Sequence, residues 1–212
     1  MTRLVALAAW VALVAVAFGA SPPPRPDQGA WLVRLLSFDL AGIDPWVVAH
    51  FNAMGLWPPL LAVLLRDRLF SPWRLGAAPA WPFVAGSVVL GAFALLPWAV
   101  LGHAPSPTPP PRLLRWLAHP AVPALIGLVA LVTFAWAAAT GDLAAWLTSV
   151  RTEQFMWAMT FDFGALCGIS IAAAALVRAE RPAPSPAWCV LPLVGAAIWA
   201  TLDAVQARRA TA

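Results

Sequence analysis

The stretch PAWPFVAGSVVLGAFALLPWAVL, residues 79–101, decides the class of fold, because it contains no charged side chain over its whole length. A helix needs about 20 consecutive apolar residues to cross a bilayer. The stretch therefore predicts a transmembrane helix. Within it, Ser87 and Gly91 stand one helical turn apart, which predicts a small-residue face for packing against a second helix.

The composition of the whole chain agrees with a membrane protein. Of its 212 residues, 62% are hydrophobic and 10% are charged, and the mean hydropathy is +0.80. Soluble domains average roughly 45–50% apolar and 25% charged residues. The chain has thirteen arginines and no lysine, and the arginines stand singly or in pairs at the edges of apolar runs and form no basic stripe with interleaved aromatic side chains. We therefore exclude nucleic acid and expect the lipid bilayer and other membrane subunits as partners.

Five further apolar runs predict an all-α, polytopic transmembrane helical bundle in a single domain, residues 1–212. The six predicted spans lie near 4–20, 45–65, 79–101, 120–140, 155–177 and 186–205. The first run also fits a cleaved signal peptide, which would leave five spans. Residues 29–40 mix apolar and polar side chains in a pattern typical of a helix that lies in the membrane interface. A short surface helix is expected within 141–154.

The second predicted span is the most irregular. Asp44 followed by Pro45 is typical of a helix start, with a capping side chain and a proline in the first turn. His50 and Asn52 bring polar groups into the first half of the span. Pro58-Pro59 predicts a helix break, because proline donates no backbone hydrogen bond and clashes with the preceding turn.

The fifth predicted span combines a buried charge with small residues. Gly164 and Gly168 have the spacing that allows two helix backbones to approach closely, which predicts a helix-packing role. At about 100° per residue, Asp162 lies on a different side of the helix from both glycines. We therefore expect protein on both sides of this helix, at the centre of the bundle.

Two interpretations of the polar residues stay open. In the first, Asp162, His50 and Asn52 form a proton-linked or ligand-binding site beside the predicted helix break, because polar groups inside a membrane are costly and often functional. In the second, Asp162 is protonated or hydrogen-bonded to a neighbouring helix, and His50 donates a hydrogen bond between helices. The prolines then merely kink the span.

No cofactor or metal is expected. A haem between helices needs axial histidines on facing helices, whereas His103 and His119 lie in or beside a loop. No histidine or cysteine pair has zinc-ligand spacing, and Cys167 and Cys189 are expected to be packed thiols. Catalytic signatures such as Gly-x-Ser-x-Gly and His-Glu-x-x-His are absent, so we predict a non-enzymatic protein whose small-molecule ligand, if any, is unknown.

The arginines give a weak signal for orientation when six spans are assumed. With a cytoplasmic N-terminus and C-terminus, seven arginines lie on the cytoplasmic side and six on the other. The dense loop from Arg66 to Arg74 favours this orientation, because short loops carry the signal best. The predicted location is the inner (plasma) membrane.

Two segments support a resemblance to other proteins. FNAMGLWP at 51–58 and PAWPFVAGS at 79–87, followed by GAFALLP at 91–97, resemble segments of small multi-pass membrane proteins of photosynthetic lineages and other bacteria. The resemblance implies a multi-pass fold and no assigned activity. We expect a structural, assembly or accessory subunit. The alternative is a small proton-linked transporter or channel-like carrier that uses Asp162, His50 and Asn52.

Overall fold

Helices form all the regular secondary structure in the part of the chain that the structure describes. The computed structural model describes residues 3–73, 78–102, 116–117 and 119–209. Three helices are long and apolar enough to cross a membrane: Pro45–Leu64, Ala121–Thr140 and Gln154–Glu180. The predicted all-α class is confirmed, and the number of spans stays a prediction.

The elements differ in length and in how closely they match the predicted spans. In chain order they are α1 (Arg3–Val14, continued by a π-helix at Ala15–Gly19), α2 (Gln28–Leu36), α3 (Pro45–Leu64), a 3-10 turn (Arg66–Arg68), α4 (Trp81–Leu90), α5 (Ala92–Leu101), α6 (Ala121–Thr140), α7 (Leu143–Thr152), α8 (Gln154–Glu180), a second 3-10 turn (Pro186–Val190) and α9 (Val194–Arg209). Helices occur in both places where short ones were predicted: α2 ends at Leu36 instead of residue 40, and α7 lies within 141–154. The position of α2 in the membrane interface stays a prediction.

Hydrogen bonds and ion pairs define two ends of the bundle, which we call end A and end B. At end A, Asp44 caps α3 as predicted: its Oδ1 accepts from the backbone N of Trp46 at 2.8 Å. Its Oδ2 accepts from the backbone N of Asp142 at 2.9 Å, so the C-terminus of α6 lies at the same end. At end B, an ion pair between Arg68 and Glu180 joins the C-termini of α3 and α8.

The positions of α1 and α2 relative to these two ends follow from their contacts with α8. The indole N of Trp157, in the first turn of α8, donates to the carbonyl of Val16 at 2.9 Å. Trp31 of α2 packs in one cluster with Val47 of α3 and Met156 of α8. The C-terminus of α1, the whole of α2 and the start of α8 therefore lie at end A, and Arg3 starts α1 from end B.

The predicted third span is not one helix. An unbroken helix over 79–101 would separate its ends by about 33 Å. Instead the backbone N of Ala78 donates to the carbonyl of Gly102 at 3.1 Å, and the indole N of Trp98 donates to the carbonyl of Ala78 at 2.9 Å. The chain reverses at Gly91, where φ is 53° and ψ is −132°. We call α4, Gly91 and α5 the first hairpin; both its ends lie at end B.

The predicted sixth span also folds back. The indole N of Trp199 donates to the carbonyl of Pro184 at 3.0 Å, and the Arg181 guanidinium binds the Asp203 carboxylate. Residues before and after Leu193, where φ is 57°, therefore run antiparallel. Four prolines within 181–192 keep the incoming half from forming an α-helix. We call residues 181–209 the second hairpin; it too starts and ends at end B.

The predicted break at Pro58 and Pro59 is wrong, because α3 runs without interruption from Pro45 to Leu64. Each proline removes only its own backbone donor, and Gly55, one turn before Pro59, is exposed and adds no side chain to that turn. Trp57 and Leu60, which flank the pair, are fully buried. Packing on the neighbouring helices therefore holds the two proline turns in helical form.

Candidate functional site

The most specific polar contact in the bundle interior joins Asp162 of α8 to the tip of the first hairpin. The carboxyl group is 5% exposed, and its Oδ1 accepts from the backbone N of Ala92, the first residue of α5, at 2.7 Å. The amide of Phe93 also faces this carboxyl group. First-turn N–H groups have no partner within their own helix. Asp162 therefore caps a helix that starts inside the bundle.

Gly91 is required at this tip for two separate reasons. Its positive φ is one that L side chains rarely adopt. In addition, a Cβ at Gly91 would overlap the Asp162 carboxyl group. The tip is also held by α1, because the indole N of Trp10 donates to the carbonyl of Phe93 at 3.2 Å.

The prediction that Ser87 and Gly91 form one packing face needs correction. The helix that contains Ser87 ends at Leu90, so the two residues do not share one helical face. Ser87 is buried and its Oγ donates to the carbonyl of Val84 on the same helix at 2.7 Å. Close packing within the first hairpin instead involves Gly86, where a Cβ would lie 3.3 Å from the Cβ of Ala94.

His50 lies in a separate aromatic cluster. Its ring centroid is 5.3 Å from that of Phe163 and 5.7 Å from that of Trp146. His50 is buried, with 6% of its surface exposed, yet neither ring nitrogen has a hydrogen-bond partner among the described residues. Phe163 follows Asp162 on α8, so the two side chains point about 100° apart. His50 and Asp162 therefore face different neighbours.

Asn52 is not part of the His50 cluster. It lies two residues after His50 on the continuous helix α3, a rotation of about 200°. It is half-buried, whereas His50 is buried. The structure thus does not join His50, Asn52 and Asp162 into one polar site, and the second interpretation of Asp162, a hydrogen bond to a neighbouring helix, matches its observed partner.

The packing prediction for Gly164 and Gly168 also needs correction within this chain. Both glycines are exposed, and a Cβ at either would meet no atom of the described residues within 4 Å. Asp162, in contrast, is buried against α5. One side of α8 therefore packs into the bundle, and the glycine side stays open.

A buried ion-pair network at end B was missed by sequence reasoning. Asp203 of α9 is 1% exposed and accepts from Arg66 at 2.7 Å and from Arg181 at 2.7 and 2.8 Å. The hydrogen bonds that the Arg181 guanidinium donates to Asp203 raise its pKa. Asp67 lies 4.0 Å from Arg181. The network fastens the second hairpin to the ends of α3 and α8.

The signal for this network was present but ambiguous. Arginines beside apolar runs are typical of headgroup contacts, and the six-span arrangement placed Arg66 and Arg181 on opposite membrane faces. An acid within the last apolar run, Asp203, was the one hint that a buried partner was needed. Arg74 and His103, named in the orientation and haem arguments, lie outside the described residues.

No group of three or more His, Cys, Asp or Glu side chains with a geometry suited to a metal ion occurs within the described ranges. Cys167 and Cys189 are free thiols there, and Cys189 is fully buried.

Comparison with known proteins gives no match. Neither a protein-family model, nor a curated protein, nor a solved structure is similar to this chain. The resemblance to other multi-pass proteins stays a prediction.

Proposed function

We propose that this chain is a non-enzymatic integral membrane protein that associates with other membrane subunits as a structural, assembly or accessory component. The observation that carries the proposal is the open side of α8. Gly164, Gly168 and Ala172 follow one another at intervals of four residues on the longest apolar helix. Small residues at this spacing let two helix backbones approach closely. The van der Waals packing between two such helices favours their association in the membrane.

Leucine at Gly164 and Gly168 is expected to abolish association, because the added side chains would separate the two helix backbones. We expect wild type to migrate as a complex in mild detergent and the double variant as a single chain. Ala139→Leu, an exposed alanine on α6, is the matched control. A wild-type chain that runs alone under conditions that preserve known membrane complexes would overturn the proposal.

We propose further that four helices, α1, α3, α6 and α8, cross the membrane and that the two hairpins enter it from end B without crossing. Three of the four meet the length and hydropathy of a span, and the helical stretch Arg3–Gly19 is at the lower limit of about 17 residues. Irregular backbone inside a membrane is tolerated where protein covers it. The Asp162 carboxyl group supplies such cover at Gly91.

The four-span topology places most arginines on one membrane face, whereas six spans divide them almost equally between the two faces. Among the described residues, end A has three: Arg25, Arg34 and Arg151. End B has seven: Arg3, Arg66, Arg68, Arg178, Arg181, Arg208 and Arg209. Because arginines accumulate in cytoplasmic loops, we place end B and both chain termini in the cytoplasm.

Single cysteines at two exposed positions distinguish four spans from six. In a chain with Cys167 and Cys189 replaced by serine, we expect Ala179→Cys to react with an impermeant maleimide on the same membrane face as a C-terminal tag. Thr152→Cys is expected to react on the opposite face. Six spans require the reverse for both positions. The accessible face of each cysteine is measured by comparing maleimide labelling in intact spheroplasts with labelling in inverted vesicles.

A proton-linked carrier is the second candidate, favoured by the Asp162 carboxyl group at the start of α5. Discontinuous helices of this kind form ion and substrate sites in transporters. If Asp162 exchanges a proton during transport, Asp162→Asn abolishes proton flux in proteoliposomes while the protein stays folded. Asp142→Asn, at the exposed cap of α7, is the control. The absence of flux in wild type would remove this candidate.

A further inference from the structure

Helix α2 packs against the bundle with one of its sides. Trp31 and Leu35 are buried against α3 and α8, and they lie about 40° apart around the helix. Val33 and Leu36 lie about 150° away from this buried side, and they are 63% and 67% exposed. Two large apolar side chains therefore lie next to each other on the outward surface of α2.

The rest of the outward surface is polar. Arg34 and Ser37 lie about 100° from the exposed apolar side. The Arg34 guanidinium binds the Asp39 carboxylate at 3.1 Å and also donates to the carbonyl of Ala41. Helix α2 thus has three sides, which face protein, an apolar medium and a polar medium. A helix at the edge of a bundle that lies in the plane of a membrane interface has these three neighbours.

The C-terminus of α2 is prepared for an environment with little water. The last carbonyls of a helix have no partner within the helix itself. Here the carbonyls of residues 33–35 accept hydrogen bonds from the backbone N of residues 37–39, at 2.9 to 3.4 Å. Unpaired backbone groups are costly near hydrocarbon. This end of α2 can therefore approach lipid acyl chains without leaving these carbonyls unpaired.

The residue that closes this helix end is unusual. Phe38 has a φ of 59°, in the left-handed region, and its side chain is 74% exposed. Glycine is the usual residue at this position, because a Cβ is disfavoured there. Strain of this kind persists mainly where a side chain has a function. An exposed aromatic ring at a strained position thus points to a contact outside the chain.

We propose that α2 lies in the membrane interface at end A, with Val33, Leu36 and Phe38 in contact with lipid acyl chains and Arg34 and Ser37 facing the aqueous side. The lipid surface is the partner because α2 connects the ends of two proposed spans, α1 and α3, at the same end of the bundle. The proposal rests on the membrane location proposed above. It does not depend on the number of spans or on association with other subunits.

Electron paramagnetic resonance of single nitroxide labels tests the position of α2. The chain, with Cys167 and Cys189 replaced by serine, is reconstituted in phosphatidylcholine vesicles and labelled at Val33→Cys or Leu36→Cys. Ser37→Cys is the matched control on the polar side. Oxygen concentrates in hydrocarbon, whereas a charged nickel complex stays in water. We expect labels at 33 and 36 to be relaxed mainly by oxygen, and the label at 37 mainly by nickel.

Two other outcomes would overturn the proposal. Relaxation mainly by nickel at 33 and 36 would place this side of α2 in water. Protection from both reagents would show that protein covers it. A label at Val132→Cys, on an exposed position of α6, tests the membrane location separately. Relaxation by oxygen at 132 but by nickel at 33 would overturn only the position of α2, whereas nickel at both would also overturn the membrane location.

Phe38→Gly separates the lipid contact from folding. Glycine adopts a positive φ without strain, so we expect the unfolding midpoint in detergent to be no lower than that of wild type. The label at Leu36→Cys is nevertheless expected to become less accessible to oxygen and more accessible to nickel, because the aromatic ring no longer holds the helix end in the lipid. An unchanged label would overturn the assignment of Phe38 to the lipid surface.

Discussion

Gly91→Ala is expected to be the most destabilising single substitution in the first hairpin. The backbone conformation at Gly91 is nearly closed to other residues, and strain of this kind costs about 1–3 kcal/mol. The new Cβ would also displace the Asp162 carboxyl group, and a buried polar group without a partner costs about 1–3 kcal/mol. The total is a large part of the roughly 5–15 kcal/mol that stabilises a typical protein.

Thermal unfolding in detergent measures the effect of Gly91→Ala. We expect either a much lower midpoint or no folded protein on size-exclusion chromatography. Gly29→Ala is the matched control: Gly29 lies within α2, has an ordinary φ and meets no neighbouring atom, so the substitution is expected to be neutral or slightly stabilising. Equal midpoints for Gly91→Ala and wild type would show that α4 and α5 do not reverse at this residue.

Asp203→Asn is expected to destabilise the attachment of the second hairpin. The substitution leaves Arg66 and Arg181 without the carboxylate that both of them bind. Breaking a buried ion pair by removing one partner costs about 3–5 kcal/mol. We expect a clear fall in the unfolding midpoint and faster proteolysis at Arg208 and Arg209, because α9 is no longer fastened at end B.

The exposed ion pair at end A provides the control for Asp203→Asn. Asp27 is bound by Arg25 at 3.1 Å and is largely exposed, and this hydrogen bond lowers the pKa of the Asp27 carboxyl group. Exposed pairs of this type contribute little to stability. Asp27→Asn is therefore expected to leave the unfolding midpoint almost unchanged. Similar losses in both variants would contradict the assignment of Asp203 to a buried network.

Hydropathy located the long helices, and capping chemistry located the start of α3. The predicted spans 45–65 and 120–140 correspond within about a residue to α3 and α6, and Asp44 caps α3 as expected. Both signals are local, because they depend on residues that are close in the sequence. The ends of α3 and α6 could therefore be predicted from the sequence.

The two hairpins could not be recognised in the same way, because an apolar run has the same hydropathy whether it crosses a membrane or reverses inside it. The reversal depends on Gly91, which resembles any glycine in such a run until its φ and its contact with Asp162 are known. The partner of Asp162 could not be predicted for a similar reason. Asp162 and Ala92 are far apart in the sequence, so their contact depends on the depth and rotation of two helices.

The position of both hairpins at end B has a consequence for how the chain enters its membrane. Under the proposed topology, the secretion machinery has to export only two short hydrophilic segments, around 20–44 and 141–153. The three arginines of the second hairpin, Arg181, Arg208 and Arg209, never leave the compartment in which they are synthesised. The second hairpin can therefore insert from the side on which it is synthesised, without moving either of its charged ends across the membrane.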